Sequence, residues 1–236
     1  MAADPSLGEA LAPDEFALAE RLSIAAVLGL PPGSCRLPTS LGPAGWLGLL
    51  VLEGFVARRV AVGGRTWTEV LGEGDLIPAA HAGRQPAGGL VGSESWDVLS
   101  SVRLAVLDRN FALRMSSWPE VVSTLTGRLE ERIHSLTVAL MACGHVGVAD
   151  RLLLTLRHYA NRWGRVTPEG VILRMPGLTH EVLAGQVGAA RPSVTTALGE
   201  LKRRRLVTQL GSAGWLLCPY DDAEASYGST RPRRIA

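Results

Sequence analysis

The 236-residue sequence has few cysteines, few aromatic side chains and almost no net charge. Its three cysteines, Cys35, Cys143 and Cys218, lie far apart, which excludes the closely spaced ligand sets of zinc knuckles, iron–sulfur clusters and Cys-x-x-Cys redox pairs. A formal net charge of +2 argues against a protein that binds polyanions through its overall charge, so any nucleic-acid surface must be local.

Long apolar runs and a basic leader are also missing. No apolar run approaches the roughly 18 residues of a membrane span, and the first 20 residues contain acids but not the basic segment of a signal peptide. Since sparse cysteines are typical of a reducing compartment, we expect a cytoplasmic protein. A hydrophobic content of 47% is enough to fold one or two domains.

The N-terminal half changes pattern near Pro31. Residues 14–28 carry apolar side chains at helical spacing, which predicts a helix. Residues 34–108 consist of short apolar runs interrupted by glycine turns, including a hairpin signal at Gly63-Gly64. Such regularly spaced strands predict a barrel or a sandwich.

Two segments inside this β-rich region have a character of their own. Residues 101–107 alternate polar and apolar side chains and predict a closing strand. Residues 78–95 are rich in alanine, glycine and proline, and we predict no regular element there. Trp46, Trp67 and Trp96 could line an apolar pocket, although tryptophans in strands more often belong to the core.

Residues 117–143 predict one long amphipathic helix. Ser117 followed by Glu120 forms a capping-box pattern. Two interpretations remain open: the helix packs on its own domain, or it pairs with a symmetry mate, and Arg132 on the stripe counts against pairing. The apolar stripe consists of Val122, Leu125, Leu129, Ile133, Leu136, Ala139, Leu140 and Cys143.

Residues 178–205 carry the pattern of a helix-turn-helix. A further helix over 148–163 and a loop with a short strand over 165–177 precede it. Thr179 is a favourable N-cap, and Gly188 supplies the tight turn between two short helices. The second helix begins near 190–192, and its first turn tolerates Pro192 because the N–H groups there have no helical partner.

The second helix has one apolar face and one small, polar face. Val194, Leu198 and Leu201 are spaced to pack inwards. A small polar face of this kind can enter the major groove, and the basic run 202–205 suits phosphate contacts. The following segment, LVTQLGSAGWLL, predicts the two strands of a wing. The outward residues are Arg191, Ser193, Thr195, Thr196, Gly199 and Lys202.

The stretch LTHEVLAGQVGAARPSVTTALGELKRRRLV resembles the helix-turn-helix signature of the Crp–Fnr family of bacterial transcription regulators. GWLGLLVLEGFVARRVAVGGRTWTEVLGEGDLI resembles the family's β-roll, and VRLAVLDRNFALRM its last strand. The resemblance implies an α+β protein. Its parts are a β-roll (jelly-roll-like, cyclic-nucleotide-binding-like) sensor domain at 1–116, a dimerisation helix at 117–144, a winged helix-turn-helix at 145–220 and a disordered tail at 221–236.

By this resemblance the protein is a homodimer that reads a palindromic site in double-stranded DNA and works with RNA polymerase. Arg191 matches a family arginine that reads guanine, whereas Pro192 and Thr196 depart from the family's usual glutamate and second arginine. The operator therefore need not resemble the best-known consensus. The residues expected to contact DNA are Thr179, Arg191, Ser193, Thr195, Thr196, Lys202, Arg203 and Arg204.

The effector site departs further from the family. Cyclic-nucleotide-binding members follow the glycine turn with Gly-Glu-Leu and then Arg-Ser or Arg-Thr, but here Gly72-Glu73-Gly74-Asp75 continues without either motif. A buried phosphate would then lack a fixed cation, so we do not expect cyclic nucleotide binding. No cofactor is evident and no iron–sulfur cluster or metal site is expected. The effector candidates are Gly72, Gly74, His81 and Arg84, and His81 is also a candidate for a haem ligand.

Two other functions remain as alternatives. The first is a ligand-sensing or protein-interaction module without specific DNA binding. The second is an enzyme, which we do not expect because the sequence contains no nucleophile–base pair, metal-ligand set or phosphate-binding loop. His134, His145, His158 and His180 lack partners at metal-ligand spacing and receive no role.

Overall fold

The computed structural model describes residues 1–37, 46–78, 92–211 and 214–218. A β-rich N-terminal domain is followed by one long helix and a C-terminal helical domain with a small sheet, which confirms the predicted α+β class. No described helix is both long enough and apolar enough to cross a membrane. The helices are α1 (Pro13–Leu22), α2 (Arg109–Met115), α3 (Pro119–Cys143), α4 (Val148–Trp163), α5 (His180–Val187) and α6 (Arg191–Arg203), after a short 3-10 turn at Pro5–Gly8.

Two antiparallel four-stranded sheets build the N-terminal domain, in the orders β1-β8-β3-β6 and β2-β7-β4-β5. Leu49, Val51 and Val56 are buried between them with Leu104, because alternate residues of each strand point to the shared core. The strands are β1 (Ala26–Leu30), β2 (Gly33–Cys35), β3 (Gly48–Glu53), β4 (Val56–Val62), β5 (Arg65–Leu71), β6 (Leu76–Pro78), β7 (Ser93–Val98) and β8 (Val102–Leu107).

The predicted hairpin at Gly63-Gly64 is confirmed. Val62 pairs with Arg65, so the two glycines form a two-residue loop between β4 and β5. Their φ angles are 57° and 74°, the left-handed pair of values that a type I′ turn requires. The strand predicted over 101–107 is likewise present as β8.

Two boundary predictions in the N-terminal domain were wrong. The helix predicted over 14–28 ends at Leu22, and Ala26–Leu30 instead pairs along its whole length with β8. The apolar residues of this segment are compatible with a helix or a strand, and it forms a strand because it pairs with β8. The segment 78–95 was predicted without regular structure, but its last residues begin β7 at Ser93.

The start of the long helix also differs from the prediction. The N-cap residue of α3 is Trp118, without a side-chain cap bond, so Ser117 and Glu120 do not form the predicted capping box. Pro119 occupies the first helical position, where a backbone N–H would have no partner within the helix, so its absence loses no hydrogen bond. The preceding Trp118 is buried and holds the start of the helix against the core.

The seven-residue apolar repeat of α3 does not form one uniform face. Leu125 is buried, and Leu129, Leu136 and Cys143 are half-buried. Arg132 turns inwards to Glu69 of β5 rather than lying on an outer seam. A second set of apolar side chains on α3 is exposed to solvent: Val122, Ile133, Leu140 and Met141.

The C-terminal domain packs α4, α5 and α6 on a four-stranded sheet with the order β11-β12-β10-β9. The predicted helix over 148–163 is confirmed as α4. The segment 165–177 contains two strands where one was predicted, because Thr167 pairs with Gly170 in a hairpin. The strands are β9 (Arg165–Thr167), β10 (Gly170–Arg174), β11 (Val207–Leu210) and β12 (Gly214–Leu217).

Candidate nucleic-acid interface

The helix pair α5–α6 begins and turns where the sequence predicted. The Thr179 side chain accepts a hydrogen bond from the backbone N–H of Val182 at 3.3 Å, so it caps α5. Gly188 ends α5 with φ 61° and ψ 43°, a left-handed conformation that glycine adopts without strain. Ala190 then precedes α6, with Pro192 in its first turn.

The inner face of α6 anchors the helix in the domain core. Val194 and Leu201 have no exposed surface, and Leu198 is also buried, as the spacing predicted. They share one cluster with Leu152 and Leu156 of α4. This packing leaves the opposite side of α6 in solvent. Exposed residues on that side are Arg191, Ser193, Thr195, Thr196, Gly199 and Lys202.

Hydrogen bonds order part of the outer face. The Thr196 hydroxyl donates to the carbonyl of Pro192 at 3.2 Å, and the Thr195 hydroxyl to that of Arg191 at 3.2 Å. Thr195 Oγ1 also lies 2.9 Å from Nδ1 of His180, the first residue of α5. No role for His180 was predicted from the sequence. The available signal was its place directly after the capping Thr179 at the helix-turn-helix entrance.

The basic run at the end of α6 divides into two kinds of side chain. Lys202 and Arg203 are exposed. Arg204 Nη1 lies 3.9 Å from Asp150 and 3.8 Å from Glu200, so acids of the same domain already attract it. Arg205 adopts a left-handed conformation with φ 57°, which turns the chain towards β11.

The predicted wing is present next to this helix. β11 pairs antiparallel with β12. Val207 lies opposite Leu217 at one end of the pair, and Leu210 lies opposite Gly214 at the other. Trp215 of β12 is buried in the same core as α6, so the two strands are fixed to the helix that they flank. Gln209 of β11 is exposed beside α6.

The glycine turn at Gly72–Asp75, which contains the effector candidates Gly72 and Gly74, contacts the C-terminal domain. Asp75 accepts hydrogen bonds from the Gly72 N–H at 2.8 Å and from Arg162 of α4 at 2.7 Å. Burial raises the pKa of the Asp75 carboxyl, although Arg162 acts in the opposite direction. Gly74 has φ 85°, which fits its role in the turn. Two other effector candidates, His81 and Arg84, lie outside the described residues.

A side chain at Gly72 would collide with the C-terminal domain. An added Cβ would lie 2.6 Å from the Phe55 ring and 2.9 Å from the Trp163 ring. These two rings meet edge-on at 5.3 Å, and the Trp163 indole donates to the carbonyl of Glu73 at 3.1 Å. Gly72 therefore allows close contact between the domains.

A second set of contacts joins β5 to the helices. Glu69 is buried and accepts two hydrogen bonds from Arg132 of α3, at 2.7 and 2.8 Å. The Trp67 indole donates to the carbonyl of Gln186 in α5 at 3.1 Å. Beside them, burial and the charge of Arg162 lower the pKa of His158 to about 4.

The three tryptophans considered as pocket residues have separate surroundings. Trp96 is buried in the β-domain core, and Trp46 packs against the same core. Trp67 bonds to α5 instead. Across residues 1–37, 46–78, 92–211 and 214–218, no three His, Cys, Asp or Glu side chains come together as metal ligands.

The comparisons with known proteins agree with this architecture. The family model of the Crp-like helix-turn-helix domain matches residues 148–218, from the start of α4 to the end of the wing. Those residues are a Crp-like helix-turn-helix domain. The Crp-like domain thus contains the capped helix α5, the exposed face of α6 and the wing.

Solved structures extend the likeness to the rest of the fold. A cyclic nucleotide-binding domain containing protein from Listeria monocytogenes EGD-e has a TM-score of 0.67 at 15% identity, covering 85% of this chain and 95% of that one. A CooA mutant from Carboxydothermus hydrogenoformans has a TM-score of 0.64 at 18% identity, and the match covers 88% of this chain and 89% of that one. FixK2 from Bradyrhizobium japonicum has a TM-score of 0.62 at 13% identity, and the match covers 86% of this chain and 96% of that one.

A curated protein is similar to part of the chain at the sequence level, and the chain matches less than half of its length. The global nitrogen regulator of Synechococcus elongatus is 26% identical over 89 residues, which cover 38% of this chain and 40% of that regulator. The family model thus confirms the Crp-like resemblance for residues 148–218, and the solved structures show a shared fold over most of the chain.

Proposed function

We propose that the protein is a sequence-specific DNA-binding transcription regulator of the Crp–Fnr type, and not an enzyme. The observation that carries the proposal is the outer face of α6. Its side chains are short and polar over two turns, follow the exposed Arg191, and stand between a capped helix and a wing. A helix with such a face fits the major groove, where donor and acceptor patterns distinguish all four base pairs.

The outer face divides into base-reading and phosphate-binding residues. Arg191 lies at the N-terminal end of α6, where a guanidinium can bind guanine O6 and N7 together. Ser193, Thr195 and Thr196 are short enough to approach base edges. Thr179, Lys202 and Arg203 flank them and are assigned to phosphates. Arg204 contributes less than Arg203, because binding a phosphate competes with its attraction to Asp150 and Glu200.

We infer that a second copy of the chain covers the outer side of α3. Ile133, Leu140 and Met141 are 63%, 73% and 68% exposed, and they follow one another at helical spacing. Covering such side chains is favourable in proportion to the apolar area removed from water. Two-fold pairing of α3 would place two α6 helices on the half-sites of a palindrome, about 34 Å apart.

The β-domain is proposed to control the angle of the DNA-binding domain. The turn at Gly72–Asp75 and the strand β5 both contact helices of that domain. A ligand or protein that binds the two arrangements unequally would shift the population that fits DNA. The domain limits given above, a cytoplasmic location and a contact with RNA polymerase belong to the same proposal.

The test is selection from random duplex DNA with the purified full-length protein at two salt concentrations. We expect one palindromic motif to be enriched, with affinity that falls as salt increases because phosphate contacts release counterions. Binding that never exceeds binding to competitor DNA, with and without cell extract, would overturn the proposal and favour a ligand-sensing or protein-interaction module.

A further inference from the structure

The outer face of α6 contains a glycine that packing within the chain does not explain. Gly199 lies in the interior of the helix and is exposed. A Cβ added there would meet no atom of the described residues within 4 Å. Glycine is a poor helix residue compared with alanine, so α6 gives up stability at this position. The space beside Gly199 is therefore open to a molecule outside the described part of the chain.

Gly199 borders a recess of about 190 Å³ between α5, α6 and the wing. Lys202 and Gln209 bring an ammonium and an amide to it, and both residues are exposed. The described lining contains no carboxylate. The recess therefore offers hydrogen-bond donors and positive charge without a competing acid, which suits an anion. Its polar and small lining residues are His180, Thr195, Gly199, Lys202 and Gln209, and the buried Trp215 also lines it.

His180 is held in this recess by a residue of α6. Thr195 Oγ1 lies 2.9 Å from Nδ1 of His180 and 3.2 Å from the carbonyl oxygen of Arg191. When the Thr195 hydroxyl turns its hydrogen from that carbonyl to Nδ1, the ring carries its own hydrogen on Nε2. Nε2 is then a hydrogen-bond donor.

We propose that this recess binds one phosphate of the DNA backbone. The donors are Nε2 of His180, the Lys202 ammonium and the Gln209 amide, and Gly199 leaves room for the sugar–phosphate chain beside the helix. Besides its place on the outer face, Thr195 is a positioning residue in this arrangement, because its hydroxyl orients the His180 ring. The inference rests on the proposed DNA binding and adds a phosphate site on the side of α6 that faces the wing.

The deciding variant is Gly199→Ala. We expect its melting temperature to rise, because alanine is the better helix residue and meets no neighbour. We expect its affinity to fall by about fivefold or more, equally on the selected site and on a random duplex of the same length, because the methyl group displaces the backbone. A purely structural role for Gly199 cannot produce opposite changes in stability and in binding.

Gly127→Ala is the matched control. Gly127 also lies inside a helix with no neighbour within 4 Å of an added Cβ, but in α3, far from the wing. It should raise the melting temperature by a similar amount and leave DNA affinity unchanged. If Gly199→Ala binds DNA as the wild type does, the phosphate site is wrong.

His180→Ala tests the donor directly. We expect about fivefold weaker binding on both duplexes, which is the effect of roughly one lost hydrogen bond. His145→Ala, an exposed histidine in the turn after α3, serves as the control. An unchanged affinity for His180→Ala overturns its role. If the wild type selects no sequence at all, the proposed function has failed first, and the wild-type measurement alone reveals it.

Discussion

The Asp75 carboxylate and the Arg162 guanidinium, 2.7 Å apart, join the two domains of the chain. Asp75 belongs to the turn between β5 and β6, and Arg162 lies in the last turn of α4. The Asp75 side chain is only 1% exposed, and its other oxygen accepts the Gly72 N–H. Because each group lacks another described ion-pair partner within 4.0 Å, the loss of one leaves the other poorly compensated.

Replacing Asp75 tests the strength of this connection. Asp75→Asn keeps an acceptor for Gly72 but removes the charge that Arg162 faces, so we expect a loss of about 1–3 kcal/mol in the free energy of unfolding. Urea denaturation measures it. Glu53→Gln is the control, since Glu53 and Arg103 are both more than half exposed and 3.6 Å apart. Equal midpoints for the two variants would show that the buried pair contributes no more than an exposed one.

His158 makes stability depend on pH. Its pKa falls from 6.5 to about 4 in the folded protein, chiefly because of burial. Between these values the unfolded chain binds a proton that the folded chain does not, so stability is lost as the pH falls from 6.5 towards 4. The melting temperature of the wild type should therefore drop more than that of His158→Gln over this range. Parallel curves for the two proteins would contradict a neutral, half-buried His158.

Local signals predicted the helix-turn-helix, whereas contacts distant in sequence decided much of the rest. Thr179 and Gly188 act on their own helix ends, so their roles were readable from the residues around them. The identity of Ala26–Leu30 as a strand depends on β8, about 80 residues further along the chain. The Asp75–Arg162 pair spans 87 residues. No pattern within either segment indicates its partner.

The proposed site shows the same division. The outward residues of α6 followed from helical spacing, but the bond between His180 and Thr195 required the angle between two helices. Arg204 seemed equivalent to Arg203 in the basic run. Its attraction to Asp150 became visible only when α4 was placed beside the end of α6. Periodicity thus locates a face, while the strength of each charge on it depends on neighbouring elements.

The exposed side of α3 gives a test of the dimer. Ile133→Glu combined with Leu140→Glu places two charges on the proposed contact, so we expect a monomer by sedimentation and binding to single half-sites only. Val146→Glu is the control, because Val146 is 97% exposed in the turn that follows α3. A double variant that sediments like the wild type would rule out this face as the dimer contact.

Arg191→Ala should affect sequence choice. If the guanidinium reads a guanine, the variant loses about 1–3 kcal/mol on the selected site and accepts other bases at one position of each half-site. Repeating the selection with the variant measures this directly. An equal loss on selected and random DNA would assign Arg191 to a phosphate instead.

Arg203 and Arg204 are adjacent, yet we expect their replacement to have unequal effects on DNA binding. Arg203→Ala should weaken binding to every sequence and reduce the slope of log affinity against log salt by about 0.9, as expected for one phosphate contact. Arg204→Ala should change both quantities less, because Asp150 and Glu200 already face that guanidinium. In an Asp150→Asn background, replacing Arg204 should weaken DNA binding more than it does in the wild type, because one competing charge has been removed. Salt titrations of the variants on one duplex provide the comparison, and equal slopes for Arg203→Ala and Arg204→Ala would mean that DNA displaces both acids.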